Sequence, residues 1–543
     1  MVYLERKPVG KYSYWYAVEK KRVDGKFKKV WQLYLGSAEM IAQKMKESKP
    51  AHLLSFPYGK QAAFLTVGEE LNFVQTIDSH APLKRVHGLT VGEYMLIIIM
   101  GRSERPVSKQ GMQDWFANSC MSLLWSFKHS LSSQNFLNHM KRLDEIKDKV
   151  EKDLAETLLK KGLVPTTLIW DRTNFYTHIE HGESLPQKGH SKHHRNDKNL
   201  IDLGLVVNEH NIPFLHTVHE ANIHDAESFP LMLDILVKRL TEMHVNTKEL
   251  VLVFDKGNNS EPNIKKVMEN MHVIGSIRSS QARDLMDIPL SKYTVLYTNR
   301  KKHTVRGYRV KRILYGSEYT VLVTHNEGTE KRQHSSHERK KKGVLDKLAD
   351  LKRRLENSKR GRRRTSSAIE CELHDIIRKD MRAVVQYTLT KKGKGFALEY
   401  RIDKKAEEER KKGFGKIILF TDMEKWSSKR ISQTYNSKYM VEDDFKWFNN
   451  TALLAVKPLF SRLDSSIRVH MFLCVMGMLF YRYLFWKLRD FKLTGERILK
   501  GLEGIRIAVV KDGNKVELVF EQMNLLQVKL VSTLKLDRFI RES

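Results

Sequence analysis

Residues 249–255, ELVLVFD, constrain the fold of this chain more than any other segment. They form a continuous apolar run that ends in an acidic residue, Asp255. Such a run is typical of a central strand that is buried on both faces of a sheet, because a half-exposed strand would alternate apolar and polar residues. The segment therefore favours an α/β fold in which helices cover a sheet.

The neighbouring residues predict the elements around this strand. Three strands of a meander precede it, beginning with TTLIWD at 166–171 and continuing through IDLGLVVN and IPFLHTVHEA. An amphipathic helix is predicted at 225–240, and a second helix and a last strand follow at 261–278. The predicted order is β-β-β-α-β-α-β, with Asp171 and Asp255 at the carboxyl ends of two strands.

The charge of the chain is strongly unbalanced. Its 543 residues contain 96 Lys and Arg against 64 Asp and Glu, a formal net charge of +32. This excess indicates a polyanionic partner, most often nucleic acid, with an acidic membrane surface as the weaker alternative. The hydrophobic fraction of 41% supplies several cores and argues against a wholly disordered chain.

Cysteine usage and hydropathy point to a reducing compartment and no membrane span. The three cysteines lie far apart and form no CxxC pair. The first residues lack the apolar core of a secretory signal. The most apolar run, MFLCVMGMLFY at 471–481, ends at Arg482 and is shorter than a span needs, so it predicts a buried core helix.

The rest of the chain predicts further elements. Residues 3–35 and 505–520 each predict a β-hairpin, with Asp-Gly turns at 24–25 and 512–513. Residues 60–160 and 427–450 predict helices, as does 466–488. Strands are predicted at 295–325 and 415–422.

A basic segment covers residues 331–364, where 15 Lys or Arg stand against four acidic residues. Apolar residues at helical spacing within it, from Val344 to Leu355, predict a short amphipathic helix with basic flanks. The segment is either a solvated face or linker, or a surface that follows DNA. DNA binding through such a surface would weaken steeply with salt.

Three carboxylates, Asp171, Asp255 and Glu442, form the candidate site. Phosphoryl transfer on DNA uses two divalent cations about 3.5–4 Å apart, which carboxylate oxygens hold. Two of these residues stand at predicted strand ends and the third in a predicted helix. Three acids chosen from 64 carry no information by themselves, so the prediction depends on their local contexts.

Those contexts resemble the DDE transposases of prokaryotic insertion sequences, in the branch with a Y-x2-R-x3-E-x6-K signature. WDRTNFY at 170–176 resembles the first-aspartate motif, and VLVFDKGNNSEPNI at 251–264 the second. GHSKHHRNDKNLIDLGLVVNEHNIPF at 189–214 and HEANIHDAESF at 219–229 resemble the segments between them. RSERPVSK with Trp115 resembles the upstream helical region, and LLAVKPLF at 453–460 the segment after the signature helix.

The signature helix matches in register, with two departures. Tyr435 stands at the tyrosine position and Glu442 at the glutamate position. Lys438 replaces the arginine, which keeps a cation but loses the bidentate fork. Asn449 replaces the lysine, which removes a charge. These departures raise the alternative of an inactive, DNA-binding descendant, while the three carboxylates favour an active enzyme.

The resemblance implies an RNase H-like catalytic core in which Asp171, Asp255 and Glu442 are both catalytic residues and ligands of two Mg²⁺ ions, with Mn²⁺ as a substitute. It implies metal-dependent cleavage at transposon ends, followed by attack of the freed 3′-OH on target DNA. The implied partners are the terminal inverted repeats, target DNA and a second copy of the chain, with no membrane. The implied location is the nucleoid of a prokaryotic cytoplasm. An RNase H-like nuclease without strand transfer is the third alternative.

The resemblance and the spacing together divide the chain into six regions. The 187 residues from Asp255 to Glu442 exceed what an RNase H-like fold needs there, which implies a partly β insertion. The predicted regions are an N-terminal hairpin region (1–60), a helical DNA-end-binding domain (61–160), the first part of the core (161–284), the insertion with the basic segment (285–412), the second part of the core (413–490) and a C-terminal hairpin and tail (491–543).

Seven residues are candidate DNA contacts: Tyr435, Lys438, Lys192, Arg195, Arg362, Arg363 and Arg364. Several have a purely structural alternative. Tyr435 fits the core equally well, and Arg195 fits a mutual salt bridge with Asp197. Because Asp443 and Asp444 follow Glu442 directly, the acidic ligand could also be one of these neighbours.

Overall fold

A nine-stranded mixed sheet is the largest element of the computed structural model of this protein. The structure describes residues 2–23, 26–47, 53–81, 88–125, 131–192, 195–223, 225–299, 301–356, 364–378, 380–393, 395–450, 453–459, 461–512 and 515–541. The predicted hairpin turns at 24–25 and 512–513 lie wholly or partly outside these residues.

The strands, in chain order, are β1 (Val2–Val9), β2 (Tyr12–Val23), β3 (Lys26–Gly36), β4 (Leu53–Pro57), β5 (Thr167–Thr177), β6 (Asn199–Asn208), β7 (Pro213–Glu220), β8 (Val251–Val253), β9 (His272–Ile277), β10 (Thr294–Thr298), β11 (Thr304–Leu314), β12 (Ser317–Asn326), β13 (Val385–Lys392), β14 (Gly395–Ile402), β15 (Lys416–Thr421), β16 (Arg506–Asp512) and β17 (Lys515–Phe520).

The helices are α1 (Ala38–Glu47), α2 (Gly59–Glu70), α3 (Phe73–His80), α4 (Val91–Glu104), α5 (Met112–Ala117), α6 (Met121–Leu124), α7 (Ser133–Lys160), α8 (Asp225–Glu242), α9 (Glu261–Met268), α10 (Arg283–Met286), α11 (Glu327–Glu356), α12 (Ser366–Ile376), α13 (Lys404–Lys412), α14 (Ser428–Asn436), α15 (Tyr439–Trp447), α16 (Asp464–Lys487), α17 (Gly495–Glu503), α18 (Leu525–Leu534) and α19 (Arg538–Arg541). Short 3-10 turns occupy Thr247–Glu249, Lys256–Asn258, Ser279–Gln281, Leu290–Lys292 and Arg489–Phe491.

The chain divides into two compact units. One comprises residues 1–66, 116–126 and 491–543, and the other residues 67–115 and 127–490. The first unit contains two antiparallel sheets, with strand orders β1-β2-β3 and β17-β16-β4. The N-terminal region is therefore a three-stranded sheet, one strand more than the predicted hairpin. The C-terminal hairpin is confirmed as β16 and β17.

The nine-stranded sheet of the second unit has the order β10-β11-β12-β15-β9-β8-β5-β6-β7. Its centre follows the predicted β-β-β-α-β-α-β order, from β5 to β9 with α8 and α9 between strands. The parallel pairs are β5 with β8 and β8 with β9, and the other pairs are antiparallel. The mixed α/β fold predicted from the apolar runs is thus confirmed.

Close packing fixes β5 against its neighbour β6. Trp170 is fully buried, and its indole lies over Gly204 of β6. A Cβ on Gly204 would lie 2.0 Å from the Trp170 ring, so only glycine leaves room for it. Beside it, the buried Arg172 guanidinium pairs with Asp202 and donates to the carbonyl of Ile223 at 3.2 Å. These contacts hold the strand that carries Asp171.

Helices α3, α4, α7 and α16 pack together, and α7 and α16 also contact β7. Helix α4 begins at a reciprocal cap, in which Thr90 and Glu93 each accept a hydrogen bond from the other's amide. Among the described residues, α16 alone has the length and composition to cross a membrane, and 83% of its apolar window is buried inside the protein. The prediction of a buried core helix at 466–488 is confirmed.

The region predicted as an insertion has two parts. Strands β10, β11 and β12 extend the main sheet beyond β15. Helices α11 and α12 with strands β13 and β14 enclose a separate apolar cluster, centred on Leu348, Leu351 and Leu373. Helix α11 spans 30 residues, longer than the short helix predicted there.

Candidate active site

The register of two parallel strands brings Asp171 and Asp255 together. The last paired residues of β5 and β8 are Ile169 and Val253. Each aspartate follows two residues after this pair, so the two occupy equivalent positions along neighbouring segments of the sheet. The sequence places both at strand ends, and for Asp171 this is wrong. Strand β5 continues to Thr177 through its pairing with β6, while β8 ends before Asp255.

Glu442 comes from helix α15, which packs against β5. The predicted single helix over 427–450 is divided into α14 and α15 by Ser437 and Lys438. The chain remains helical at the junction, because the amide of Glu442 donates to the carbonyl of Lys438 at 3.5 Å. Lys438 therefore lies one turn before Glu442 on the same face.

The ammonium of Lys438 joins the three carboxylates. Its Nζ lies 3.3 Å from Asp255 Oδ1 and 3.9 Å from Glu442 Oε1. The Lys438 side chain is 11% exposed, against 42% for Asp255. Burial alone would lower the pKa of Lys438, but the charges of Asp171 and Asp255 outweigh it and raise this pKa. The lysine is held as a cation among the acids.

Asp171 is the most enclosed of the three acids. Its pKa is raised, chiefly because burial disfavours the charged carboxylate. Lys438 and Lys192 act against that shift, and the neighbouring charge of Asp255 adds to it. Asp171 Oδ1 accepts a hydrogen bond from the amide of Arg172 at 2.8 Å. A further cation at this site would remove the remaining cost of ionising Asp171.

The acids after Glu442 face a different partner. Asp444 is fully buried and accepts from Arg482 Nε at 2.7 Å and from Asn211 Nδ2 at 3.1 Å. Asp443 lies 3.9 Å from the same guanidinium. Of the three consecutive acids, Glu442 alone is paired with Lys438, which makes it the member that belongs to the site.

Two further candidate DNA contacts lie along β5, and of these Lys192 interacts with Asp171. Lys192 donates from Nζ to the carbonyl of Arg172. Arg195 forms a bidentate pair with Asp197, both bonds being 2.8 Å, and lies over the Tyr176 ring. The mutual salt bridge that the sequence allowed is therefore present.

Lys457 is a cation that the sequence analysis missed. Its Nζ lies 3.3 Å from the centre of the Tyr176 ring, on which Arg195 also packs. Burial first and the charge of Arg195 second lower the pKa of Lys457 to about 8. The motif LLAVKPLF contains this lysine, but nothing in that motif indicates that Tyr176 is its neighbour.

Tyr435 and Asn449 have structural contacts. The Tyr435 hydroxyl is buried and donates to Ser276 of β9 at 2.8 Å, which ties α14 to the sheet. Asn449 Nδ2 donates to the carbonyl of Phe445 at 2.9 Å and so closes the last turn of α15. A DNA contact by Tyr435 remains a prediction.

The basic segment lies on and after α11. Arg364 donates to Glu372 Oε2 at 2.6 Å, and Arg354 donates to the other oxygen of the same carboxylate. Arg362 and Arg363, the other predicted DNA contacts here, lie outside the described residues. The structure thus brings Lys192 and Lys438 near the acids. Arg195 lies over Tyr176, further along β5, and Arg364 belongs to the separate α11–α12 cluster.

Another acidic cluster lies between α11 and α13. His337, Glu338 and Glu407 are the one group among the described residues whose metal-ligand atoms lie within 4.8 Å of one another. Lys341 and Lys411 already neutralise it, at 2.7 and 2.8 Å from Glu407 Oε1. These lysines lower the pKa of Glu407 to about 2. The group is an ion-pair network between two helices.

Asp171, Asp255 and Glu442 suit a hard divalent cation by their chemistry. All three offer carboxylate oxygens, and Asp255 and Glu442 are open to solvent, with 42% and 56% of their side chains exposed. Their oxygens do not reach the 4.8 Å convergence of the cluster around Glu407. The Lys438 ammonium, a compact cation with oxygen partners, now occupies the space between two of them.

Comparison with known proteins gives no assignment. The chain matches no model of a known protein family, and the search of curated proteins returns no match. The class of the site is therefore argued from its geometry and from the motifs that carry it.

Proposed function

We propose that this protein is a DDE transposase that cleaves DNA at transposon ends and joins the freed 3′-OH to target DNA. The observation that carries the proposal is the equivalent placement of Asp171 and Asp255 on neighbouring parallel strands, with Glu442 linked to them through Lys438. Acids from three separate elements, gathered around one cation, offer the kind of ligands that metal-dependent phosphoryl transfer requires.

The strand arrangement supports the RNase H-like core. Strands β7, β6 and β5 are antiparallel neighbours, and β8 and β9 continue parallel to β5. The helices α8 and α9 connect the strands of the parallel part. This arrangement places Asp171, within β5, and Asp255, just after β8, in the interior of the sheet.

Asp171, Asp255 and Glu442 would hold two Mg²⁺ or Mn²⁺ ions, which supply activation of the attacking oxygen and stabilisation of the leaving oxygen. Lys438 and Lys192 would bind the phosphates on either side of the scissile bond, since both act on the acids. Arg195, which packs on Tyr176 further along β5, would contact the DNA beyond them. A second copy of the chain would hold the paired end, on the chromosome of a prokaryotic cell.

One observation favours the inactive descendant as a second candidate. Lys438 pairs with Asp255 and Glu442 and so competes with a metal for the same oxygens. Such a protein would bind the transposon ends and leave them uncut. An RNase H-like nuclease without strand transfer uses the same acids, so only the joining step separates it from a transposase.

The test is a cleavage assay on linear DNA that carries the flanking sequence of the coding region, with Mg²⁺ and a target plasmid. We expect cuts at discrete outer positions and joined products. Asp255→Asn and EDTA should abolish both, because the metal loses its ligand or its supply. Asp443→Asn is the matched control, since Asp443 faces Arg482 and should leave cleavage unchanged.

A pre-cut end distinguishes the three functions. Ends with a 3′-OH should join the target, and dideoxy-terminated ends should not. Cutting without joining would identify a nuclease. Salt-sensitive binding to the ends without any cutting would identify an inactive descendant, and neither binding nor cutting would refute the proposal.

A further inference from the structure

A cavity of about 370 Å³ lies between the segments around 106–109 and 458–463 and the first turns of α16. Three cationic side chains contribute to its lining: Arg102 at the end of α4, Lys109 in the loop after it, and Arg462 before α16. None of the described lining residues is a carboxylate. A cavity with several cations and no acid is electrostatically suited to an anion.

Arg102 forms the floor of this cavity. Its side chain is 5% exposed, and its Nη2 donates to the carbonyls of Ala455 and Val456, the latter at 3.4 Å. Its Nε makes no hydrogen bond to any described residue. The nearby thiol of Cys474 is neutral, since burial raises its pKa. The guanidinium therefore has no anionic partner among the described residues.

Lys109 also lacks an anionic partner among the described residues. Burial first and the positive charge of Arg102 second lower the pKa of its ammonium to about 8. No described residue forms an ion pair or hydrogen bond with its Nζ, and burying an unpaired charge costs several kcal/mol. A bound anion would offset both the desolvation and the repulsion between the two cations.

Acids on the surrounding elements are engaged elsewhere: Glu104 accepts from Trp115 Nε1 at 2.8 Å. Asp464 accepts from the amides of Ser184 and Leu185, each at 3.1 Å. Asp144 pairs with Arg468 and Lys147. His470 adds no charge, because burial keeps its pKa well below the usual range and its Nε2 donates to the Val456 carbonyl at 2.7 Å.

We propose that this cavity is a phosphate-binding site, in which Arg102, Lys109 and Arg462 hold the anion and the Ser108, Ser461 and Ser466 hydroxyls face it. An arginine fork with a lysine is a recurrent arrangement for phosphate. The volume admits a phosphate ester as well as inorganic phosphate. The occupant is a backbone phosphate of DNA or a small phosphate compound. The inference does not depend on the carboxylates at Asp171, Asp255 and Glu442.

The first experiment uses inorganic phosphate and the full chain, with ionic strength held constant. We expect phosphate to raise the melting temperature of the wild type, because a ligand of the native state stabilises it. Lys109→Gln and Arg462→Gln should weaken phosphate binding about tenfold or more in calorimetry, since each removes a charge-assisted hydrogen bond. Lys160→Gln, an exposed lysine at the end of α7, is the matched control.

The second experiment distinguishes the two sources of phosphate. Duplex DNA is titrated at several salt concentrations with the same variants. If the ligand is a backbone phosphate, Lys109→Gln and Arg462→Gln should each reduce the slope of log K against log[salt] by about 1, and Lys160→Gln should not. An unchanged slope together with lost phosphate binding identifies a small phosphate compound, which also supports the site.

Without phosphate, Lys109→Gln should fold and melt at the same temperature as the wild type or higher, because it removes an unpaired cation. This separates loss of binding from loss of structure. The proposal is overturned if phosphate stabilises the wild type and both variants equally, or if it does not bind the wild type at all.

Discussion

Lys438 is the counter-ion of the candidate site when no metal is bound. Its ammonium lies 3.3 Å from Asp255 and 3.9 Å from Glu442, so it neutralises acids that would otherwise repel each other. The family pattern has arginine here, and a guanidinium is larger and flatter than an ammonium. The lysine is small enough to lie between the acids and act as a counter-ion.

From this position we predict that Lys438→Gln binds divalent cations more tightly than the wild type, by about tenfold. The variant removes a charge that competes for the same oxygens. Mn²⁺ titration calorimetry measures the affinity directly, without reference to catalysis. Lys446→Gln, on the same helix but paired with Asp443, is the control. Equal or weaker Mn²⁺ binding by Lys438→Gln would contradict the counter-ion role.

The sequence predicts individual residues of the site better than their surroundings. It identifies Asp171, Asp255 and Glu442, because each ends or lies within a recognisable motif. It does not predict that Asp171 lies mid-strand. The apolar run ends at Trp170, and the strand continues through polar residues whose partners are distant in sequence, such as Asn174 donating to His190 at 2.9 Å. Lys457 is missed for the same reason.

Elements are held together by buried ion pairs as well as by apolar packing. Glu151 of α7 accepts from His216 of β7 at 2.6 Å and pairs with Arg239 of α8 at 2.5 Å. Burial alone would raise the pKa of Glu151, but His216 and Arg239 outweigh it and lower this pKa to about 2. One carboxylate thus joins two helices to an edge strand.

We predict that this network makes stability depend on acid pH. Because the folded-state pKa of Glu151 lies below its ordinary value of 4.5, its contribution is present above that value and is lost as the pH falls towards about 2. Glu151→Gln should cost about 3 kcal/mol of unfolding free energy at neutral pH and flatten the acid dependence. Denaturant unfolding at several pH values measures both.

Glu145→Gln, an exposed acid on the same helix, should change neither quantity. A Glu151→Gln protein as stable as the wild type, with the same acid dependence, would show that the network contributes nothing to folding. The sequence indicates that 133–160 is a helix, but it gives no sign that Glu151 is buried, since its partners come from β7 and α8.

The cluster formed by α11, α12, β13 and β14 should unfold separately from the main sheet. Leu351 is fully buried in it, and truncating such a leucine costs about 2–5 kcal/mol. We expect Leu351→Ala to speed hydrogen exchange across this cluster and to leave β8 and β9 unchanged, as measured by mass spectrometry. Leu345→Ala, one position off the buried face, is the control. Loss of protection in β8 and β9 as well would mean that both regions unfold as one.

At the scale of the whole molecule, the net charge of +32 favours binding to a polyanion, and the proposed partner is DNA. Some of the candidate DNA-binding cations are paired internally, as Arg195 is with Asp197 and Arg364 with Glu372. Each such pair uses one cation and one acid, so the excess of 32 positive charges remains, and electrostatic attraction should dominate binding.

We predict that affinity for duplex DNA falls about 10³-fold or more between roughly 50 and 200 mM salt, as for proteins with six or more phosphate contacts. Fluorescence anisotropy with a labelled duplex measures this. Binding that hardly changes over this range would mean that the positive charge does not face DNA. Composition alone yields this prediction, whereas the order of the nine strands follows only from pairings between distant segments.

Ile277 on β9 lies directly opposite Ile418 on β15, and this pairing bears on where the chain can accept an insertion. The chain between them leaves β9, adds β10, β11 and β12 on the far side of β15, and returns to β9 at facing residues of one antiparallel pair, whose Cα atoms are about 5 Å apart. The length of this segment can therefore change without moving β5 or β8. An insertion in this segment should therefore be tolerated. A reporter or a different recognition module inserted there would leave the spacing of Asp171 and Asp255 intact.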